Sequence, residues 1–106
     1  MSKVQRVALL SNPEGPTSLA ELPRLRAFCA AHPQIFHYEV QEASQVDAAM
    51  RSIARIRPAL LAINGSKPTV EAALTALARL SPVLPPVAVV AGGRVEELRR
   101  LVEKAA

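Results

Sequence analysis

The chain is poor in the residues that build metal centres and covalent chemistry. A single cysteine, Cys29, excludes an intramolecular disulfide and any multi-cysteine metal site. Two histidines, His32 and His37, and one aspartate, Asp47, cannot make a His-rich or Asp-rich cluster, so no metal ligand and no catalytic residue is assigned. Tryptophan is absent, and Phe28, Phe36 and Tyr38 are the only aromatics. The core must therefore come from Ala, Val, Leu and Ile, which suits closely packed helix-on-sheet layers. No apolar run approaches the roughly 18–20 residues that span a bilayer, so no membrane span is expected. Residues 1–6 lead into a short apolar run without a small-residue cleavage site. No signal peptide is expected, and the cytoplasm is the expected location.

What is present describes one domain. The 106 residues are 50% hydrophobic, enough for one core and against disorder. The formal charge is +4, but ten of the thirteen basic residues are Arg scattered along the chain. No basic run interleaves with aromatics, as single-strand binders need, so no nucleic-acid partner is expected.

Short β-branched runs alternate with amphipathic segments. Residues 4–10, 35–40, 59–63 and 87–90 read as strands. The third is apolar throughout, as a strand buried inside a parallel sheet should be. Ser18 and Glu21 read as a capping box opening the first helix, with Pro23 pushing its start toward Glu21 or Leu22. Ser44 to Asp47 opens the second helix, striped by Val46, Ala49, Met50, Ile53 and Ala54. Pro68 suits the first turn of the third, striped by Val70, Ala73, Leu74, Leu77 and Leu80. Residues 94–104 form the last, with Val95, Leu98, Leu101 and Val102 on one face. Four βα units in strict alternation imply a three-layer α/β/α fold with a four-stranded parallel sheet. The expected order is 2-1-3-4. The first and last helices should cover one face, the second and third the other.

In open α/β sheets ligands bind beyond the carboxyl ends of the strands, where the order reverses. That point lies between the first and third strands. Their outgoing loops hold Asn12 and Gly15, and Asn64, Gly65, Ser66, Lys67 and Thr69. The fourth strand adds Gly92, Gly93 and Arg94. These loops carry all four glycines, which let backbone approach a ligand closely. A helix beginning at Pro68 presents free N–H groups and a partial positive charge, which favour an anion. Plain turn chemistry explains the same residues. Cys29 reads as a structural thiol among Leu25, Phe28 and Ala30. His37 and Glu39 share a strand face and read as a surface pair, with no nucleophile in sight.

These motifs resemble the N-terminal catalytic domain of diacylglycerol and related lipid kinases, with NAD kinases as distant relatives. Asn12-Pro13-Glu14-Gly15 resembles the family's N-P-x-S-G loop without its serine. Gly65-Ser66-Lys67-Pro68-Thr69 stands at its G-G-D-G-T turn, keeping the first glycine and the threonine. Gly92-Gly93-Arg94 stands near its G-T-x-N turn. Lys67 occupies the aspartate position, and Pro68 replaces a glycine donor. The resemblance implies ATP or another phosphate-bearing nucleotide as ligand. It also implies a second, β-rich domain that carries the catalytic base and is absent from residues 1–106. The expectation is a degenerate kinase-like domain with weak nucleotide or phosphate affinity and no kinase turnover by this chain alone. The alternative is a non-enzymatic interaction module. A homodimer is expected, joined through the last helix or the outer edge of the fourth strand. A receiver- or flavodoxin-like module fits the order of elements, but Asn12 and Asn64 are neutral where a receiver needs acids.

Overall fold

Val7–Ser11 (β1) and Leu60–Asn64 (β3) are buried along their whole length, so they form the centre of the sheet. The computed structural model describes residues 6–81, 83–90 and 95–105. Parallel pairing places Ile35–Glu39 (β2) beside β1, and Val87–Val89 (β4) beside β3. The order is β2-β1-β3-β4, as the alternation of elements predicts. Residues 4 and 5 of the expected first strand lie outside the described residues.

The pleat divides the core in two. Val7 and Leu9 of β1 and Leu60 and Ala62 of β3 point to one side. There they meet Leu25, Phe28 and Cys29 of Gly15–Ala31 (α1) and Val95, Leu98 and Val102 of Val95–Ala105 (α4). Ala8, Leu10, Leu61 and Ile63 point to the other. They meet Val46, Met50 and Ile53 of Val46–Ile56 (α2) and Ala73, Ala76 and Leu77 of Lys67–Leu80 (α3). Helices thus cover both faces in the expected pairs.

Three local expectations are corrected. First, α1 begins at Gly15, and the Ser18–Glu21 box does not open it. Pro16 sits in the first turn, where its fixed φ is already helical and its missing N–H costs nothing. Pro23 is carried on the exposed side of the helix, where water can serve the carbonyl that loses its partner. Second, a 3-10 turn, Ala43–Gln45, precedes α2, and its capping box runs between Glu42 and Gln45. The Gln45 side chain accepts from the backbone N–H groups of Gln41 (2.7 Å) and Glu42 (3.1 Å), so Ser44 does not cap α2. Third, the buried stripe of α3 is Thr69, Ala73, Ala76 and Leu77. Small alanines let the helix lie close on the sheet. Leu74 and Leu80 are turned onto the flank, 42% and 40% exposed.

β4 is the outer strand. The Pro86 carbonyl accepts from Leu61 N–H, and Val90 N–H donates to the Ile63 carbonyl. In a parallel ladder alternate residues face each neighbour, so the backbone groups of Val87 and Val89 point outward. The apolar residues Val95, Leu98 and Val102 of α4 are buried against the sheet, which leaves its polar face outward.

Candidate functional site

The crevice between β1 and β3 is built around Asn12, the first residue past β1. Its backbone N–H donates to the Asn64 carbonyl at 2.8 Å, extending the ladder by one residue. Its side-chain Nδ2 donates to Thr69 Oγ1 at 2.8 Å, in a fully buried bond between residues 57 apart in sequence. Glu14 Oε1 lies 3.5 Å from the same Nδ2. A carboxylate can only accept, so the amide nitrogen faces Thr69 and Glu14, and the oxygen turns away. Among the described residues that oxygen, Asn12 Oδ1, is buried without a partner, as are Asn64 Nδ2 and, away from the crevice on α1, Glu21 Oε2. An unpaired buried polar atom costs about 1–3 kcal/mol.

Gly65 follows β3 because nothing larger fits. A Cβ there would stand 2.9 Å from Thr69 Cγ2 and 3.0 Å from Thr69 Cβ. Thr69 is itself pinned by Asn12, so it cannot yield. Ser66 is the N-cap of α3, in extended conformation, yet its hydroxyl makes no cap bond. Gly15 serves differently. Its φ of +82° requires glycine at the entry to α1, but a Cβ there would meet nothing within 4 Å.

Asn12, Glu14, Ser18, Asn64, Gly65 and Ser66 line a pocket of about 220 Å³ in this crevice. Four of these were expected from the sequence. Thr69 lies beneath the turn as a brace, fully buried. Lys67 extends into solvent, 86% exposed, with Glu71 at 3.9 Å. Neither Lys67 nor Gly15 lines the pocket. Gly92, Gly93 and Arg94 lie outside the described residues. Glu14 and Ser18 were missed: Ser18 was assigned to a cap that Pro16 makes unnecessary, and Glu14 reads as one loop residue among others.

A second polar chain lies on the opposite face of β1. His37 Nε2 and Ser11 Oγ are 2.9 Å apart, and His37 Nδ1 is 3.9 Å from Glu39 Oε2. Arg26 holds both Glu39 oxygens at 2.8 Å. His37 is therefore not a plain surface pair with Glu39, because β1 brings a hydroxyl to its other nitrogen. Ser11 is completely buried, which seals that hydroxyl from any substrate. Burial pushes His37 below the usual imidazole range, partly opposed by the Glu39 charge. The Arg26 hydrogen bond holds Glu39 below the usual carboxylate range. Burial pushes the Cys29 thiol up to about 11, in keeping with an inert structural cysteine.

The His37 shift sets a pH dependence. The folded state binds its proton less readily than the unfolded chain, so its stability contribution is complete above about 6.5. That contribution declines as pH falls below this value, until folded His37 itself protonates. Denaturant midpoints at pH 7.5 and 5.5 should differ more for the native chain than for His37→Gln. Equal differences would contradict the assignment.

No family model matches the chain, and neither does any curated protein. Among solved structures, a diacylglycerol kinase from Bacillus anthracis superposes with a TM-score of 0.62. The likeness shows the fold. Identity is 23% over 88% of this chain. The chain spans about a third of that kinase, covering 35% of its length.

Proposed function

We propose that this chain is a kinase-like domain that binds a phosphate-bearing nucleotide, such as ATP, weakly at the turn 64–69. The observation that supports it most is the pocket of about 220 Å³ at the start of α3, lined by Asn12, Asn64, Gly65 and Ser66 among others. The N–H groups of the first turn of α3 and the partial positive charge of the helix end draw an anion. Ser66 supplies a hydroxyl that makes no cap bond, and Lys67 adds charge from the rim. Gly92, Gly93 and Arg94 belong to the proposed set on the sequence alone, since they lie outside the described residues. Lys67 at the place of an aspartate leaves the turn without the acid that phosphoryl transfer to a lipid would use. No kinase activity is therefore proposed for residues 1–106 alone, and the cytoplasm is the proposed location. Among the described residues no helix is long and apolar enough to cross a membrane.

An exposed charge at a helix end contributes about 0.3–1 kcal/mol toward an anion. Lys67→Glu should therefore weaken inorganic phosphate about two- to fivefold or more, read by titration. Unchanged affinity, or lipid phosphorylation by this chain above a buffer blank, would contradict the proposal.

One observation favours the second reading, a self-associating module. Val87 and Val89 on the outer strand are 37% and 56% exposed, with outward backbone groups. Leu74, Leu80, Val83 and Leu84 are exposed as well. An open apolar edge invites a further strand. Light scattering at high concentration should give twice the mass of one chain, and Val89→Lys should return it to one. A single-chain mass throughout would remove this reading.

A further inference from the structure

We propose that a groove at the amino edge of the sheet, the edge opposite the crevice, is a second ligand site, and that it takes an aliphatic monocarboxylate: an alkyl chain ending in one carboxylate. The groove lies where α2 and α3 end and the chain enters β3 and β4. It holds about 640 Å³, within the about 300–1,000 Å³ of small-molecule sites. Leu77 and Leu80 of α3, with Val83, Leu84, Pro85 and Pro86 of the loop into β4, give it an apolar wall. None of the three aromatics lines it, so nothing there selects a flat ligand by stacking. Leucine side chains adapt to a flexible chain instead.

The charge of the site has one sign. Among the described residues that line the groove, Arg57 carries the only charge. The groove is built from the stretches 48–70 and 72–95, and neither contains an aspartate or a glutamate. A bound carboxylate therefore meets a cation there and no like charge from these stretches. Arg57 ends α2 in the left-handed conformation, with φ of +49°, where glycine is the usual residue. Its guanidinium is not needed to serve the helix end. Arg6 Nη1 already donates to the Ile56 carbonyl at 2.6 Å, which also sets a second cation one residue from Arg57. Among the described residues no carboxylate pairs with Arg57. An apolar body with one anionic end answers both parts of the site. A polyanion would leave the apolar wall wet, and a neutral chain would leave Arg57 unused.

The test titrates the full chain with decanoate, octanoate and decyltrimethylammonium below their micelle concentrations, following backbone amide shifts. Decanoate should shift Ala54, Arg57, Leu77 and Leu84 saturably and leave residues 64–69 unmoved, so the outcome is independent of the nucleotide reading. Octanoate should bind at least about threefold more weakly, since each buried methylene contributes about fourfold. Decyltrimethylammonium, with the same tail and the opposite charge, should bind more weakly than decanoate. Arg57→Gly suits the left-handed backbone, so the variant keeps the fold. It should weaken decanoate about two- to fivefold, the range of an exposed ion pair, and Arg57→Lys should restore the affinity. Decanoate binding that is absent, equal to that of the cationic amphiphile, or indifferent to Arg57→Gly would overturn the proposal. Groove amides that shift with protein concentration and not with decanoate would also overturn it, and would assign the groove to a second copy of the chain.

Discussion

Gly65→Ala is expected to lower the stability of the fold by about 1–3 kcal/mol, the usual cost of overpacking. The added Cβ would lie 2.9 Å from Thr69 Cγ2 and 3.0 Å from Thr69 Cβ. Neither contact is with a flexible tip. Thr69 sits in the first turn of α3, fully buried and hydrogen-bonded to Asn12. Relief therefore means moving α3 away from β3, which opens the crevice. The second variant separates this clash from a simple loss of glycine freedom. Thr69→Ser deletes Cγ2 and keeps the hydroxyl that Asn12 uses. Gly65→Ala in the Thr69→Ser background should cost less than in the native chain. Equal costs, measured by denaturant unfolding, would show that the close approach is not what selects glycine.

Asn12→Ala carries the other large effect, about 1–3 kcal/mol, because it strands the Thr69 hydroxyl in the interior. The loss is offset in part, since the unpaired Asn12 Oδ1 disappears with the side chain. A cycle with Thr69→Val isolates the bond. Thr69→Val alone leaves Asn12 Nδ2 with only Glu14 at 3.5 Å, whereas the double variant leaves neither group stranded. The two losses should thus be non-additive by at least about 0.5 kcal/mol. Additive losses would mean that the bond between the β1 loop and α3 contributes nothing of its own.

The central strands were legible because burial on both faces leaves a plain mark: residues 7–11 and 60–64 contain almost nothing polar. Strand order and the pairing of helices followed from the handedness of the crossovers. Legibility ended where two local devices competed. Ser18 and Glu21 have the spacing of a cap, but Pro16, three residues before Leu19, starts the helix first. The stripe of α3 was drawn through its largest side chains. The sheet selected its smallest, because alanines permit closer approach, and Leu74 and Leu80 went to the flank.

The candidate site divides in the same way. Asn12, Asn64, Gly65 and Ser66 were found through the rule that ligands gather where strand order reverses, and they do line the pocket. Glu14 escaped notice because nothing local distinguishes it. It becomes a lining group only because the loop after β1 sets it beside Asn12, whose side chain reaches across to Thr69. The Ser11–His37 contact was equally hidden. It depends on the register of β1 against β2, which sets Leu9 opposite His37 and Ser11 opposite Glu39.

The central claim is that the carboxyl edge between β1 and β3 holds an anion on the first turn of α3. Titrating ATP into the isotopically labelled chain, while following every backbone amide, tests it most directly. The account predicts saturable shifts that cluster on Gly65, Ser66, Lys67, Thr69 and Val70. Shifts scattered over the arginine-bearing faces of the helices, with those five amides unmoved, would contradict it.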